Sequence, residues 1–549
     1  KAAAAEMKAK IADALTERLL ETPSDRHLRR QLTLLDHAQI TTVHSFCAYL
    51  LRENFQAAGL TPDFRVADED EIAILRENIL DELIESRYEN RSTENEGFFM
   101  LVESLSAMRD DSRLRSVILE TFAKLQSHPY PQKWISEMLT RSTEEKPLES
   151  VYGQILIDAI LDRCYYAKKT LSAARETMRL YPSIEKAYGA AYTDDLSRLE
   201  TLIRLLEERR WDEAAAFANG ISFTRLSAVR GFDDPVLLDL IKAPRDAWKK
   251  MLGTFCRDYF GFTELQFLND MRAVEPYSHA LFSLVSEYMD RMDDEKRLRN
   301  ILDFSDLEHL TVRMLLGDDG KEPTPLAGSL SCRYTEIMVD EYQDTNEVQD
   351  AIFHALSREG KNLFLVGDMK QSIYSFRLAN PDVFLRKYMA YADNPAPGEP
   401  GRVILAKNFR SRQEVTEAVN YIFENVMSPT LGDISYGKEE RLIPGAEYPA
   451  SQDSCAELCL VETAEEDDLS GAEADAAYVA ARIRDMLEQE YPVYDRTLGD
   501  MRPCLPEDFA ILLRSVKSKA VLYETACARE LQREKTLVRS CSTRRTLSF

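Results

Sequence analysis

Glu336-Ile337-Met338-Val339 runs straight into Asp340, and Asn362-Leu363-Phe364-Leu365-Val366 runs into Gly367-Asp368. A short continuous apolar run has no polar face to offer water. It suits a strand buried on both sides, as in a parallel sheet whose functional groups sit just past the strands' carboxyl ends. Val403-Ile404-Leu405, ahead of Lys407-Asn408-Phe409-Arg410, repeats the pattern, as does Phe509-Ala510-Ile511-Leu512-Leu513 ahead of Arg514. These runs predict an α/β region after residue 300. Between them, Asn394-Pro395-Ala396-Pro397-Gly398-Glu399-Pro400-Gly401 marks a domain boundary.

The chain before residue 300 has another character. Residues 65–299 carry long polar–apolar helical patterns with few glycines, such as Ile79, Leu80, Leu83 and Ile84 on one face. Residues 1–60 also read as helical, broken by the β-branched run Ile40-Thr41-Thr42-Val43. A length of 549 residues suggests roughly three or four domains. Hydrophobic residues at 44% and charged residues at 30% exclude collagen-like, disulfide-scaffold and mostly disordered chains. No apolar run is long enough to span a bilayer. The opening Lys1-Ala2-Ala3-Ala4-Ala5-Glu6-Met7 reads as the interior of a longer protein.

A net charge of −25 argues against a general basic coat for nucleic acid. Two windows differ. Residues 1–60 hold eight basic and seven acidic side chains, and residues 361–420 hold nine and six. Both carry the motifs below. The nine cysteines include no C-x-x-C pair, and Cys455 and Cys459 have no nearby His to complete a zinc set. Reduced thiols of a cytoplasmic protein are expected.

In Val339-Asp340-Glu341-Tyr342-Gln343-Asp344, two adjacent carboxylates close a buried strand. There, one acid can hold Mg²⁺ and the next can orient and deprotonate a water. In Gly367-Asp368-Met369-Lys370-Gln371-Ser372-Ile373-Tyr374-Ser375-Phe376-Arg377, the glycine allows a tight turn. Gln371 is a neutral side chain able to sense a phosphate oxygen. Tyr374, Phe376 and Arg377 interleave aromatic faces with a cation, the chemistry of single-strand stacking. The alternative puts Tyr374 and Phe376 in the core. In Asn408-Phe409-Arg410-Ser411-Arg412, Arg410 can act as an arginine finger.

In this order and spacing, the three runs resemble the UvrD-like superfamily 1 helicases. Asp340 to Asp344 looks like motif II, Gly367 to Arg377 like motif III, and Asn408 to Ser411 like motif IV. Thr42-Val43-His44-Ser45-Phe46-Cys47 looks like the DNA-contacting motif after motif Ia, and Lys1 to Met7 like the tail of motif Ia. Within that family the AddA-type helicase–nuclease chains are most similar. Phe55 through Asp70 and Leu302-Asp303-Phe304-Ser305-Asp306-Leu307-Glu308-His309 carry that likeness.

The resemblance implies RecA-like P-loop NTPase domains, with parallel sheets and a large all-helical insertion. Residues 1–64 and 300–390 would form the first RecA-like domain, 65–299 the helical insertion, and 400–530 the start of the second RecA-like domain. It further implies ATP and Mg²⁺ as cofactors. Asp340 would be the metal ligand, Glu341 the base, Gln371 the γ-phosphate sensor, and Arg410 the group completing the ATP site. His44, Tyr374, Phe376 and Arg377 would lie along single-stranded DNA. Such motors move 3′ to 5′, and AddA-type chains pair with an AddB-type partner to process double-strand breaks for recombination.

Departures temper this. No Gly-Lys is followed by Ser or Thr, so the phosphate-binding loop is not in this sequence. The chain as given is expected to hydrolyse ATP poorly, although its parent should not. Motifs V and VI and the nuclease carboxylates have no counterpart. Residues 531–549 do not continue the family pattern, which suggests a frame slip rather than a genuine basic tail. The competing reading is a non-hydrolysing structural subunit of a DNA-processing complex.

Overall fold

A computed structural model describes residues 2–90, 95–105, 111–141, 147–374, 378–428, 431–432, 434–449, 456–462 and 470–532. The chain divides into two units, Lys1–Val403 and Ile404–Phe549. No helix among the described residues is long and apolar enough to cross a membrane. No disulfide joins the described cysteines.

In the first unit, strands β1 (Arg65–Val66) and β2 (Ile301–Leu302) pair in parallel, Arg65 beside Ile301. The chain therefore leaves for its long helical stretch and returns from it at neighbouring backbone positions. Asp68 caps the first helix of that stretch, Glu69–Glu89, by accepting from Glu71 N. Ile72, Leu75, Ile79 and Leu83 recur on one helical face and are buried against Leu284, Val285, Tyr288 and Met292 of helix Glu264–Leu298. A separate core lies within residues 148–260, where helices Val151–Arg179, Pro182–Glu207 and Pro235–Asp258 enclose Leu171, Tyr192, Leu199 and Trp248. Beside it Arg245 and Asp195 form a fully buried ion pair at 2.5 Å. Arg245 also donates to the Thr224 carbonyl at 2.7 Å, which satisfies more of the guanidinium.

A third core packs helices Val43–Glu53, Phe304–Leu316, Pro325–Ser331 and Glu347–Leu356 through Leu50, Leu307, Val312, Leu330 and Ile352. Helix Phe304–Leu316 begins with a capping box. Asp303 Oδ1 accepts from Asp306 N at 2.9 Å, and Asp306 Oδ2 accepts from Asp303 N at 2.8 Å. The buried Lys296 ammonium lies 2.6 Å from Asp306 and 3.4 Å from Asp303.

Beside this core, strands β3 (Ile337–Val339) and β4 (Leu363–Leu365) pair in parallel, Ile337 beside Leu363 and Val339 beside Leu365. The first two apolar runs are thus parallel strands. Their sheet has two strands among the described residues, and it is not buried on both sides as the runs predict, since Met338 and Phe364 are exposed on it.

In the second unit β5 (Lys407–Asn408) pairs in parallel with β6 (Ile443–Pro444). Strands β7 (Pro492–Asp495) and β8 (Asp500–Pro503) form an antiparallel hairpin. The third and fourth apolar runs differ from expectation. Val403 and Leu405 are exposed and the strand begins only at Lys407. Residues 509–513 form no strand, and Leu512 is exposed. An apolar run becomes a strand only where a neighbouring backbone takes its hydrogen bonds, and here neither run is paired.

Candidate active site

Asp340 and Glu341 follow β3 directly and both are exposed. The chain turns sharply there. Glu341 takes a left-handed backbone (φ 51°, ψ 42°) and opens a short 3₁₀ turn, Tyr342–Asp344. A non-glycine residue held there costs about 1–3 kcal/mol, strain that clusters at functional sites. Tyr342 N donates to the Val366 carbonyl at 2.8 Å, so the turn is bonded to the end of β4. Asp340 Oδ1 accepts from Glu341 N at 3.0 Å.

One buried residue joins the two acidic strand ends. Gln343 is 1% exposed. Its Nε2 donates to Glu341 Oε2 at 2.8 Å, and its Oε1 accepts from Asp368 N at 2.9 Å. Gly367 makes room for it, because a Cβ there would stand 2.7 Å from Gln343 Oε1. Asp368 in turn accepts from Gln371 Nε2 at 2.9 Å and faces the Lys370 ammonium at 2.8 Å. Burial pushes the Asp368 carboxyl up, but Lys370 and Gln371 outweigh it and hold the group below its usual range. The carboxyl of Asp344 is pushed up, first by burial and then by Glu341. Its Oδ1 is buried without a hydrogen-bond partner.

Glu341 and Gln371 are therefore linked through Gln343 and Asp368, and Asp340 is bonded to the Glu341 backbone. Hard carboxylate oxygens open to solvent suit Mg²⁺, which binds through one or two acids plus phosphate oxygens and waters. No cluster of three or more His, Cys, Asp or Glu that could hold a metal occurs among the described residues. An ion held by Asp340 would draw its other ligands from water or a bound phosphate.

His44 sits in the first turn of helix Val43–Glu53, with Nε2 3.0 Å from Glu308 Oε1. The Phe304 ring lies 4.8 Å from the His44 ring and is exposed. Phe304 and Glu308 stand one helical turn apart, so one face of helix Phe304–Leu316 presents both to His44. Tyr374 is partly buried. Phe376 and Arg377 lie outside the described residues. Arg410 is an exposed residue of the second unit, past β5. Asn408 Oδ1 accepts from Arg410 N at 2.9 Å, and the Arg410 carbonyl accepts from the Tyr448 hydroxyl at 2.6 Å.

The profile of the UvrD/REP helicase N-terminal domain matches residues 1–392. The chain belongs to the UvrD/REP helicase family. It is 36% identical over 546 residues to the A-subunit of the ATP-dependent helicase/nuclease of Geobacillus kaustophilus (strain HTA426), covering 95% of this chain and 43% of that protein. The same-named protein of Bacillus cytotoxicus (strain DSM 22905 / CIP 110041 / 391-98 / NVH 391-98) is 35% identical, over 94% of this chain and 42% of its own length. That of Listeria monocytogenes serotype 4b (strain F2365) is 34% identical, over 94% and 43%. This UvrD/REP chain thus spans less than half the length of the curated relatives it matches.

Three residues of this UvrD/REP site carry weight that the motifs did not assign. Gln343 bridges the two strand ends, while Phe304 and Glu308 frame His44. The sequence held one usable signal for the latter pair, their i, i+4 spacing in the run that resembles the family.

Proposed function

We propose that this chain is the motor region of an ATP-dependent DNA helicase that translocates 3′ to 5′ along a single strand. It would work with an AddB-type partner in a cytoplasmic helicase–nuclease complex that processes double-strand breaks for recombinational repair. The observation that carries this reading is the hydrogen-bonded line Glu341–Gln343–Asp368–Gln371. It makes one mechanical unit of the acids at the end of β3 and the run after β4. The relatives are named as one subunit of a helicase/nuclease, which supports a motor, a nuclease elsewhere in the longer protein, and a partner.

Each side chain has a role in this reading. Asp340 holds Mg²⁺, which when bound supplies positive charge to the phosphates. Glu341 orients an attacking water and takes its proton; its carboxylate is steered by Gln343. Gln371 senses the γ-phosphate and relays its presence through Asp368. Arg410 is assigned the arginine-finger role. His44 and Phe304 give the strand a polar edge and a stacking face, and Tyr374, Phe376 and Arg377 extend that track.

Residues 1–64 and 300–390 are assigned to the first RecA-like domain, 65–299 to the helical insertion, and 400–530 to the start of the second RecA-like domain. The pairing of β1 with β2, at residues 65 and 301, supports an insertion bounded there.

The test is ATP hydrolysis by the full-length protein with and without single-stranded DNA, followed by unwinding of duplexes with a 3′ or a 5′ tail. Hydrolysis stimulated by the strand, with unwinding from the 3′ tail, is expected. Hydrolysis indifferent to DNA overturns the reading.

A further inference from the structure

We infer that Glu308 is a positioning residue that ties the DNA-facing His44 to the helix after the paired acids, so that strand binding and ATP turnover are coupled through one buried carboxylate. The inference rests on the motor reading. Glu308 is 4% exposed, and a carboxylate so placed needs hydrogen bonds or a charge partner. Its partners come from two sides. From helix Val43–Glu53, His44 Nε2 reaches Oε1 at 3.0 Å. From the other side, Gln349 Nε2 donates to the same Oε1 at 2.8 Å, and Asn346 Nδ2 points at Oε2 from 3.4 Å.

Asn346 and Gln349 open helix Glu347–Leu356, with Asn346 Oδ1 capping it by accepting from Gln349 N at 2.8 Å. Asn346 is only five residues beyond Glu341. The intervening chain has little freedom. Tyr342, Gln343 and Thr345 are buried, and the Thr345 carbonyl accepts from Asn380 N at 3.0 Å. A shift of the His44 ring therefore acts on Glu308 Oε1, which also holds the helix that starts where the acidic turn ends. Charge-assisted hydrogen bonds in a buried setting make this connection stiff. Cys47, also on the His44 helix, feels the same group: burial pushes its thiol up to about 12, and the Glu308 charge adds to the effect.

The test uses the full-length protein and three variants. Glu308→Gln turns one acceptor into a donor facing donors. It should weaken single-strand affinity and cut the DNA stimulation of ATP turnover, each about tenfold. Gln349→Ala frees the helix while leaving His44 on Glu308. It should keep single-strand affinity within about twofold yet lower the stimulation about fivefold, a split that loss of general stability does not produce. The double variant His44→Ala/Glu308→Gln should bind the strand no more weakly than His44→Ala alone.

Additive losses in that double variant, or stimulation at the wild-type ratio in both Glu308→Gln and Gln349→Ala, overturn this inference alone. A wild-type protein whose turnover ignores DNA overturns the motor reading and this inference with it. If Glu308→Gln does not fold, Gln349→Ala decides by itself: unchanged stimulation sinks the coupling.

Discussion

Gln343 Nε2 donates to Glu341 Oε2 at 2.8 Å from a position almost sealed from solvent. A neutral donor aims a carboxylate without neutralising it, which is what the base role proposed for Glu341 requires. The other end of the same amide accepts from Asp368 N, so the aim of Glu341 depends on the strand next door.

Gln343→Leu keeps the bulk and removes both bonds. Asp368 N–H then loses its acceptor, and the protein should be less stable by about 1–3 kcal/mol. Turnover of the full-length protein should fall about tenfold to a hundredfold, because a loosely held base orients and deprotonates the attacking water poorly. Urea unfolding and steady-state hydrolysis read the two effects. A variant as stable and as fast as wild type would show that the amide only fills space.

Glu341→Gln isolates the proton transfer. In the full-length protein it should still bind ATP, while DNA-stimulated turnover drops by about 10²–10⁴-fold. Nucleotide binding is read with a fluorescent analogue and turnover by phosphate release. Turnover near the wild-type rate rejects Glu341 as the base.

Phe304→Ala removes the exposed ring beside His44 and should weaken single-strand binding by about 1–3 kcal/mol, with ATP affinity unchanged. Phe376→Ala should do the same if its ring stacks on a base. Fluorescence anisotropy with a labelled oligonucleotide measures both. Full affinity in either variant returns that ring to a packing role.

The acids at the strand ends were legible because their chemistry is local. The apolar runs stopping at Asp340 and at Gly367-Asp368 become β3 and β4 because each takes the other's backbone as its partner. Val403-Ile404-Leu405 and residues 509–513 have the same local pattern yet form no strand, since a strand depends on a neighbour that the run does not encode. The β7–β8 hairpin was missed for the opposite reason. Its residues Pro492–Asp495 and Asp500–Pro503 lack an apolar run, and its arms are joined by backbone bonds and a turn at Gly499. Gln343 and Glu308 were hidden because their roles rest on contacts. Gln343 meets Asp368 across 25 positions, and Glu308 meets Gln349 across 41.

The capping box at Asp303 and Asp306 makes a prediction about pH. Burial and then the Asp303 charge push Asp306 up from 3.8 to about 6, with Lys296 pulling it back. Burial also pushes Asp303 up, but Lys296, the cap hydrogen bond and Arg76 outweigh it and hold that group below its usual range. The signs are opposite. Folded Asp306 binds its proton more tightly than the unfolded chain does, so its contribution is fully present at low pH and is lost as pH rises through about 6. Asp303 contributes in the other sense: its stabilisation is present above the ordinary carboxylate range and is lost as pH falls through the lowered value. Asp306→Asn keeps an acceptor for Asp303 N and cannot ionise. Melting temperature against pH, wild type and variant side by side, reads the difference. The variant should gain on wild type as pH rises from about 4 to about 6, and the gap should then stay constant. Parallel curves through that window would mean that Asp306 is ionised throughout and that Lys296 balances both acids.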